Sequence, residues 1–590
     1  MPSENWILRG GRGAAIAKKY DLDPYLARIL AVRCKEESVE EYLNREGQLF
    51  DPLLMEDMVR AVDLIDDHLS MDKELTIVGD YDVDGLTSTT ILLKGLSHLY
   101  PGASIHYRIP ERISDGYGFS IDIARELEAK GVQMVLTCDN GIREFETGRY
   151  LKEQGIPLII TDHHDIMTGP DGVQAIPDAE AVINPHRTDD HSPQKTICGA
   201  FTALQLIRAL WRRKRMDEKG DLVMSELTGL AAIGTICDIM PLMKENRKLV
   251  YQGLRALNYN PPTGIRCLMK EKNIRTLSPY TVGYVIGPMI NAGGRLGSQN
   301  KYIRILLSDD VFECQTLAKE LAALNAERQK MQEDGIAKGL DRINKDTSGD
   351  MVKVIYLPDV HESIAGLVAG KIKDEIHHPV FVATKSEKGI KGSGRSIEAY
   401  PMSQEMDKVK EVFTRYGGHQ MAAGFSIDGP KGTEEDMART MSRALNENCT
   451  LEEKDCVPSI YIDAVADPAL MTLDRIRQLD ILEPMGTGNP RPLIACKKVH
   501  LHKVSVYGQR KNVARLSLMT PGGDVDVISF RVPYISDFIG KCLGRDAQDR
   551  MYDGLVVDPA VTVDLVYEAG INEYHGLEKP QFILRAIRHS

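Results

Sequence analysis

Between Lys73 and Asn184 short apolar runs recur, each ending in polar, acidic or histidine-bearing residues. Leu75-Thr-Ile-Val78 leads into Gly79-Asp-Tyr-Asp-Val-Asp-Gly85, and Val132–Thr137 into Cys138-Asp-Asn-Gly141. Pro157–Ile160 leads into Thr161-Asp-His-His-Asp165, and Ala181-Val-Ile183 into Asn184-Pro-His-Arg187. Helical patterning occupies 86–100 and 145–154 between them. Parallel strands need crossover connections, so this alternation predicts βαβ units around a parallel sheet. Ligands in such sheets bind beyond the carboxyl ends of the strands. Each acidic or histidine cluster falls at such an end.

Farther on, residues 200–258 read as helices and Leu317–Ile343 as a long charged helix joining two lobes. A second α/β block begins at Met351, a polar linker is expected at 446–455, and short alternating runs after Ser459 predict a small barrel. A chain of 590 residues exceeds what one core supports. The expected division is a helical lead (1–50), a first α/β domain (51–258), a helical connector (259–345), a second α/β domain (346–450) and a β-rich OB-type barrel (459–590).

The formal net charge of −12 argues against coating duplex nucleic acid by charge neutralisation. It leaves room for a local basic groove and suits carboxylates gathered around divalent cations. No run of 18 apolar residues occurs, which predicts no membrane partner. The opening Met1-Pro-Ser-Glu-Asn-Trp6 lacks a signal-peptide pattern, so a cytoplasmic location is the default. Ten cysteines without a CxxC pair read as reduced, mostly buried thiols.

Asp80, Asp82 and Asp84, read as extended chain, project to one side. Clustered anions repel and need cations to neutralise them. An acidic surface turn is the alternative; an EF-hand is disfavoured because no glutamate stands at the required offset. Asp139 ends a second strand and Asp162-His163-His164-Asp165 a third. Asp238 alone is unremarkable, since a buried capping aspartate is commoner than a ligand. Together, carboxylates and imidazole suit Mn²⁺ or Mg²⁺ better than Zn²⁺, and two ions about 3.5–4 Å apart are the usual arrangement for phosphoester hydrolysis.

These strand-end motifs, in this order, resemble the DHH phosphoesterase superfamily. Further segments resemble its RecJ-type exonucleases: Cys198-Gly-Ala200, Gly287-Pro-Met-Ile-Asn-Ala-Gly-Gly-Arg-Leu-Gly297, His361-Glu-Ser-Ile-Ala-Gly366, Gly392-Ser-Gly-Arg-Ser396, Gly417-Gly-His-Gln-Met-Ala-Ala-Gly424 and Leu482–Pro490. The resemblance implies a parallel-sheet phosphoesterase domain, a DHH-associated α/β domain joined to it by a long helix, and an OB-type barrel. It implies a 5′→3′ exonuclease releasing 5′-mononucleotides from single-stranded DNA, in repair and recombination. By resemblance, Asp80, Asp82, Asp84, Asp139, His163 and Asp238 hold two Mn²⁺ or Mg²⁺ ions, with Asp139 bridging, and a metal-held hydroxide attacks phosphorus in line.

His164 is left three roles: ligand, support for its neighbour, or contact to the scissile phosphate. Arg295, Ser393, Arg395, Gly417, Gly418 and His419 are implied phosphate contacts; Arg108 and Arg112 are weaker ones. Tyr507, Phe530, Tyr534, Tyr567 and Tyr574 are the barrel's candidates for base stacking, or simply core. Met289 stands where related sequences often carry arginine, which puts one phosphate contact in question. A single-strand-binding protein and a helicase are partners by analogy. A phosphoesterase for short oligonucleotides or cyclic dinucleotides, and a non-catalytic single-strand binder, are the rival readings.

Overall fold

The computed structural model describes residues 4–34, 38–112, 115–116, 118–169, 171–574 and 576–590. Contacts divide it into two compact units, one holding 52–238 and 256–459, the other 6–51, 239–255 and 460–590.

In the first unit, β1 (Leu75–Val78), α1 (Val83–Leu99), β2 (Ile105–Arg108), β3 (Val135–Cys138), β4 (Leu158–Thr161) and β5 (Ala181–Ile183) follow in chain order. The strands form a parallel sheet ordered β2-β1-β3-β4-β5. Every residue of β1, β3 and β4 is buried, as a sheet covered on both faces requires. Strand order reverses between β1 and β3, so the crevice beyond their carboxyl ends is the topological switch point. Helices α2 (Gly199–Arg213) and α3 (Leu222–Cys237) pack on α1.

A one-turn helix at Pro279–Thr281 runs through a π-turn (Val282–Ile286) into α4 (Gly287–Leu296). The connector helix α5 (Val311–Lys345) is longer than the sequence pattern indicates, because Asp310 caps its start by accepting from Phe312 and Glu313 N–H. The second sheet comprises β6 (Lys353–Tyr356), β7 (Val380–Ser386), β8 (Gly389–Arg395), β9 (Arg415–Gly418) and β10 (Ala422–Asp428), ordered β9-β10-β8-β7-β6. Only its β6–β7 pair is parallel. Along β7, Val380 and Val382 face α5 and α6 (Glu362–Ile376), whereas Phe381 and Ala383 face α7 (Glu434–Glu447). This alternation is the period of two that a strand between two layers must show.

The expected linker at 446–455 is instead docked on this unit. The Asn446 side chain accepts from Val352 N–H and donates to Val352 O, both at 3.0 Å, and Cys456 is buried.

In the second unit, β11 (Ala464–Val465), β12 (Ile494–Tyr507), β13 (Val513–Thr520), β14 (Gly523–Ser529), β15 (Leu555–Tyr574) and β16 (Leu577–His589) run in the order β11-β12-β13-β14-β16-β15. Pairing of β12 with β15 closes the sheet into a barrel, which removes its open edges. Two expected boundaries are corrected here. The lead at 1–50 opens with a strand, Asn5–Leu8, paired to Ser459–Ile462, so it is not helical throughout. Residues 239–255 belong with the barrel, not the first domain: buried Arg247 donates to the carbonyls of Tyr42, Ile481 and Glu483.

Candidate metal centre

The carboxylates gather at the switch point for local reasons. Asp82 is the N-cap of α1, its Oδ1 accepting from Asp84 N–H at 2.9 Å and Gly85 N–H at 3.1 Å. The three aspartates therefore do not lie along extended chain. Capping starts the helix at Val83, earlier than the pattern predicts, and places Asp84 in its first turn. A side chain on Gly85 would strike the Asp80 backbone at 2.5 Å, so the turn needs glycine there.

Buried Asp84 accepts from the first amides of α2, Gly199 N–H at 2.7 Å and Ala200 N–H at 2.9 Å. A helix N-terminus thus offsets part of its charge. Asp139 follows β3 with φ of 60°, the left-handed region, and lies so near α2 that a Cβ on Gly199 would sit 2.6 Å from its own. Asp238 is the C-cap of α3.

His163 Nε2 lies 3.0 Å from Asp139 Oδ1 and 3.7 Å from both Asp84 Oδ2 and Asp238 Oδ2. Donor atoms within 4.8 Å of one another form three groups: Asp80, Asp82 and Asp139; Asp84, His163 and Asp238; Asp139, His163 and His164. Among the described residues, Asp80 Oδ1, Asp139 Oδ1 and Asp238 Oδ2 are buried without a hydrogen-bond partner. Orphaned carboxylate oxygens aimed at a common centre fit hard divalent cations.

Electrostatics agree. Burial, reinforced by the Asp82 charge, pushes Asp80 up to about 8 and Asp84 up to about 6. Burial and neighbouring carboxylates, Asp84 foremost, push Asp139 and Asp238 well above the usual range. Burial, then His164, holds His163 down at about 3, leaving a neutral ring able to ligate. Burial opposes charge on His164 too, but the Asp162 carboxylate at 2.7 Å from Nδ1 overrides it and lifts His164 to about 9. Asp162 stays well below its usual range despite burial, held by His164, His163 and the Ile142 N–H.

Two arginines act on this centre, Arg112 on Asp80 and Arg295 opposite Asp82. The Arg112 guanidinium stacks 4.0 Å above the Tyr81 ring. Arg295 donates to Ser363 O, and burial, then Arg112 and Arg328, lowers it to about 10. Arg395 donates to Ser393 Oγ at 2.9 Å, beside the first turn of α6, where a Cβ on Gly366 would come within 2.8 Å of it.

The remaining sequence candidates take varied positions. Arg108 is engaged internally, with Asp115 at 2.9 Å and Glu126 at 3.2 Å. Gly417 and Gly418 form an exposed edge hairpin opposite Gly424 and Ala423. His419 at its tip is exposed, 3.8 Å from Asp165. Met289 is fully buried, so its side chain offers no surface for a phosphate. Tyr534 and Tyr567 are barrel core, Tyr507 and Phe530 are exposed, and the Tyr574 side chain lies outside the described residues.

Sequence reasoning gave no role to Asp162, Gly199 or Gly234. A Cβ on Gly234 would lie 2.6 Å from Asp84 Oδ1. Asp162 and Gly199 stood within quoted motifs, but Gly234 gave no signal inside an apolar helix.

Comparison with known proteins follows this geometry. The family model described as "DHH family, N-terminal domain" matches residues 74–235, "DHHA1 domain" 349–447 and "RecJ OB domain" 462–586. The single-stranded-DNA-specific exonuclease RecJ of Bacillus subtilis is 30% identical over 580 residues, covering 97% of this chain and 69% of that protein. The RecJ of Escherichia coli is 30% identical over 592 residues, covering 96% of each. The crystal structure of Thermus thermophilus RecJ with Mn²⁺ superposes with a TM-score of 0.81 at 27% identity, covering 99% of this chain and 80% of that one.

Two outcomes are expected. The folded carboxylates retain protons that the unfolded chain releases near pH 4, so metal-free protein loses stability as pH rises from about 4 towards 8. Thermal melts in chelator should decline across that window, and Mn²⁺ should flatten the decline by replacing those protons. Asp162→Asn should lower Mn²⁺-dependent turnover by about 10–100-fold, measured by steady-state kinetics, through loss of the His164 support.

Proposed function

The chain belongs to the RecJ family of DHH phosphoesterases, and from that premise we propose which residues act and on which end of the strand. It is a metal-dependent exonuclease of single-stranded DNA, in DNA repair and recombination. The carrying observation is the convergence of donor atoms on shared residues, Asp139 in two of the three groups and His163 in two. Asp80, Asp82 and Asp139 would hold one Mn²⁺ or Mg²⁺, and Asp84, His163 and Asp238 the other, with Asp139 between them. Bound there, such ions supply Lewis acidity and acidify water at neutral pH.

The chain's own groups do the rest. Gly199 and Ala200 amides fix the Asp84 carboxylate, so its remaining lone pairs stay aimed at the centre. Neutral His163 presents Nε2. His164, oriented by Asp162 at 2.7 Å from its Nδ1, is read as a contact to the phosphate. Arg295, Arg395, Ser393 and Arg112 would receive a terminal phosphate, since guanidinium matches its geometry. Their capture of a 5′-phosphate would set 5′→3′ polarity and release 5′-mononucleotides. His419 is an outer contact in this reading.

The barrel would bind single strands, with exposed Tyr507 and Phe530 available for stacking. No helix among the described residues is long and apolar enough to cross a membrane. A cytoplasmic location follows from the DNA substrate, and a single-strand-binding protein and a helicase are partners in the same proposal. The intact ligand set disfavours a non-catalytic binder, and the barrel disfavours an enzyme confined to dinucleotides.

A product ladder from 3′-labelled single strands in Mn²⁺ should show stepwise loss from the 5′ end. Arg395→Ala should erase the preference for a 5′-phosphate and raise KM about tenfold. Shortening of a 5′-labelled strand from its 3′ end would contradict the assigned polarity.

A further inference from the structure

Two tyrosines that no step above uses stand in solvent on the element that carries Arg295. Tyr280 and Tyr284 are 67% and 71% exposed, and their rings stack with centroids 5.1 Å apart at 28°. Scattered exposed aromatics need no explanation. This pair differs in three respects.

Its placement is the first. The accessible positions from Pro279 to Leu296 include Tyr280, Tyr284, Pro288, Asn291 and Arg295, spaced 4, 4, 3 and 4 residues apart. Such spacing is one face of one helix, while Val282, Ile286, Met289 and Ile290 are buried. The tyrosines therefore begin a stripe that ends at an arginine assigned to phosphate. From Tyr284 to Arg295 the helical rise is about 16 Å, room for several nucleotides between a terminal phosphate and the rings.

Anchorage is the second respect. The π-turn Val282–Ile286 and the start of α4 lie against the last turn of α3, the turn that Asp238 caps. A Cβ on Gly287 would come 2.5 Å from Cys237 Sγ, and one on Gly283 would come 3.3 Å from Ile236. The missing side chains let the helix approach closely, so the tyrosines are held rigidly relative to a proposed metal ligand. π-Turns occur often at functional sites.

Chemistry is the third. Already stacked, solvent-facing phenol rings offer a flat apolar face at little ordering cost, which suits unpaired bases and gives little purchase to a duplex whose bases are covered. The stripe carries no carboxylate, so nothing on it repels a polyanion.

We propose that Tyr280 and Tyr284 form a base-stacking platform that receives single-stranded DNA several nucleotides from the end held near Arg295. The platform extends the substrate site on the first unit, independently of the barrel, and rests on the exonuclease reading above. It makes the enzyme favour strands long enough to reach from the arginines to the rings.

The test compares the parent, Tyr280→Ala/Tyr284→Ala and Tyr280→Phe/Tyr284→Phe. Binding of a 5′-phosphorylated oligo-dT 20-mer is measured in chelator over a series of salt concentrations. Hydrolysis of the same strand and of a dinucleotide is measured in Mn²⁺. The alanine pair should weaken binding about 10–100-fold, and the phenylalanine pair should stay within about threefold of the parent. The slope of log affinity against log salt should stay constant, because no phosphate contact is removed. The ratio of kcat/KM for the 20-mer to that for the dinucleotide should fall with the alanine pair and recover with the phenylalanine pair. Parent-like binding by the alanine pair, or a shallower salt slope, overturns the platform alone. A parent that neither binds nor degrades single strands overturns the platform together with the function it rests on.

Discussion

Crowding of buried carboxylates beyond β1 and β3 is the constraint on which the first unit depends. Asp80, Asp84 and Asp139 are nearly inaccessible to water, and three carboxylate oxygens of this centre lack hydrogen-bond partners among the described residues. Like charges so placed are repelled and desolvated together, which the fold tolerates only through offsetting features. The α2 amides serve Asp84, protonation serves the others without metal, and divalent cations would serve all of them. The glycines at 85, 199 and 234 exist because helices must come close enough to build this concentration of charge.

Around that centre the protein places opposite charge in a graded way. Asp162 raises the basicity of His164, and Arg112 lies over Tyr81, whose neighbours in the chain are the proposed ligands Asp80 and Asp82. Arg295 links α4 to the start of α6 through the Ser363 carbonyl. A net charge of −12 is therefore compatible with a nucleic-acid substrate. Attraction is local, and most of the negative charge lies elsewhere on the surface.

Much of this was legible in sequence because it follows from periodicity. Short buried strands ending in Asp139 or His163 announce a parallel sheet and a ligand crevice in one pattern. What was hidden depended on tertiary approach. Asp82 looks like one of three equivalent ligands until the helix it caps is seen. Asp162 also accepts from the Ile142 N–H, a partner that only folding supplies, and Met289 reads as a lost surface contact until its burial places it in the core. Arg108 reads as a surface cation until folding pairs it with Asp115 and Glu126. The assignment of 239–255 to the barrel unit rests on Arg247 reaching carbonyls of Tyr42 and Ile481, residues about 200 positions away in either direction.

The most direct measurement is anomalous diffraction at the manganese edge from crystals grown with Mn²⁺. The account predicts two peaks about 3.5–4 Å apart, one bounded by Asp80, Asp82 and Asp139 and the other by Asp84, His163 and Asp238. A single peak, or peaks away from Asp139, would contradict it.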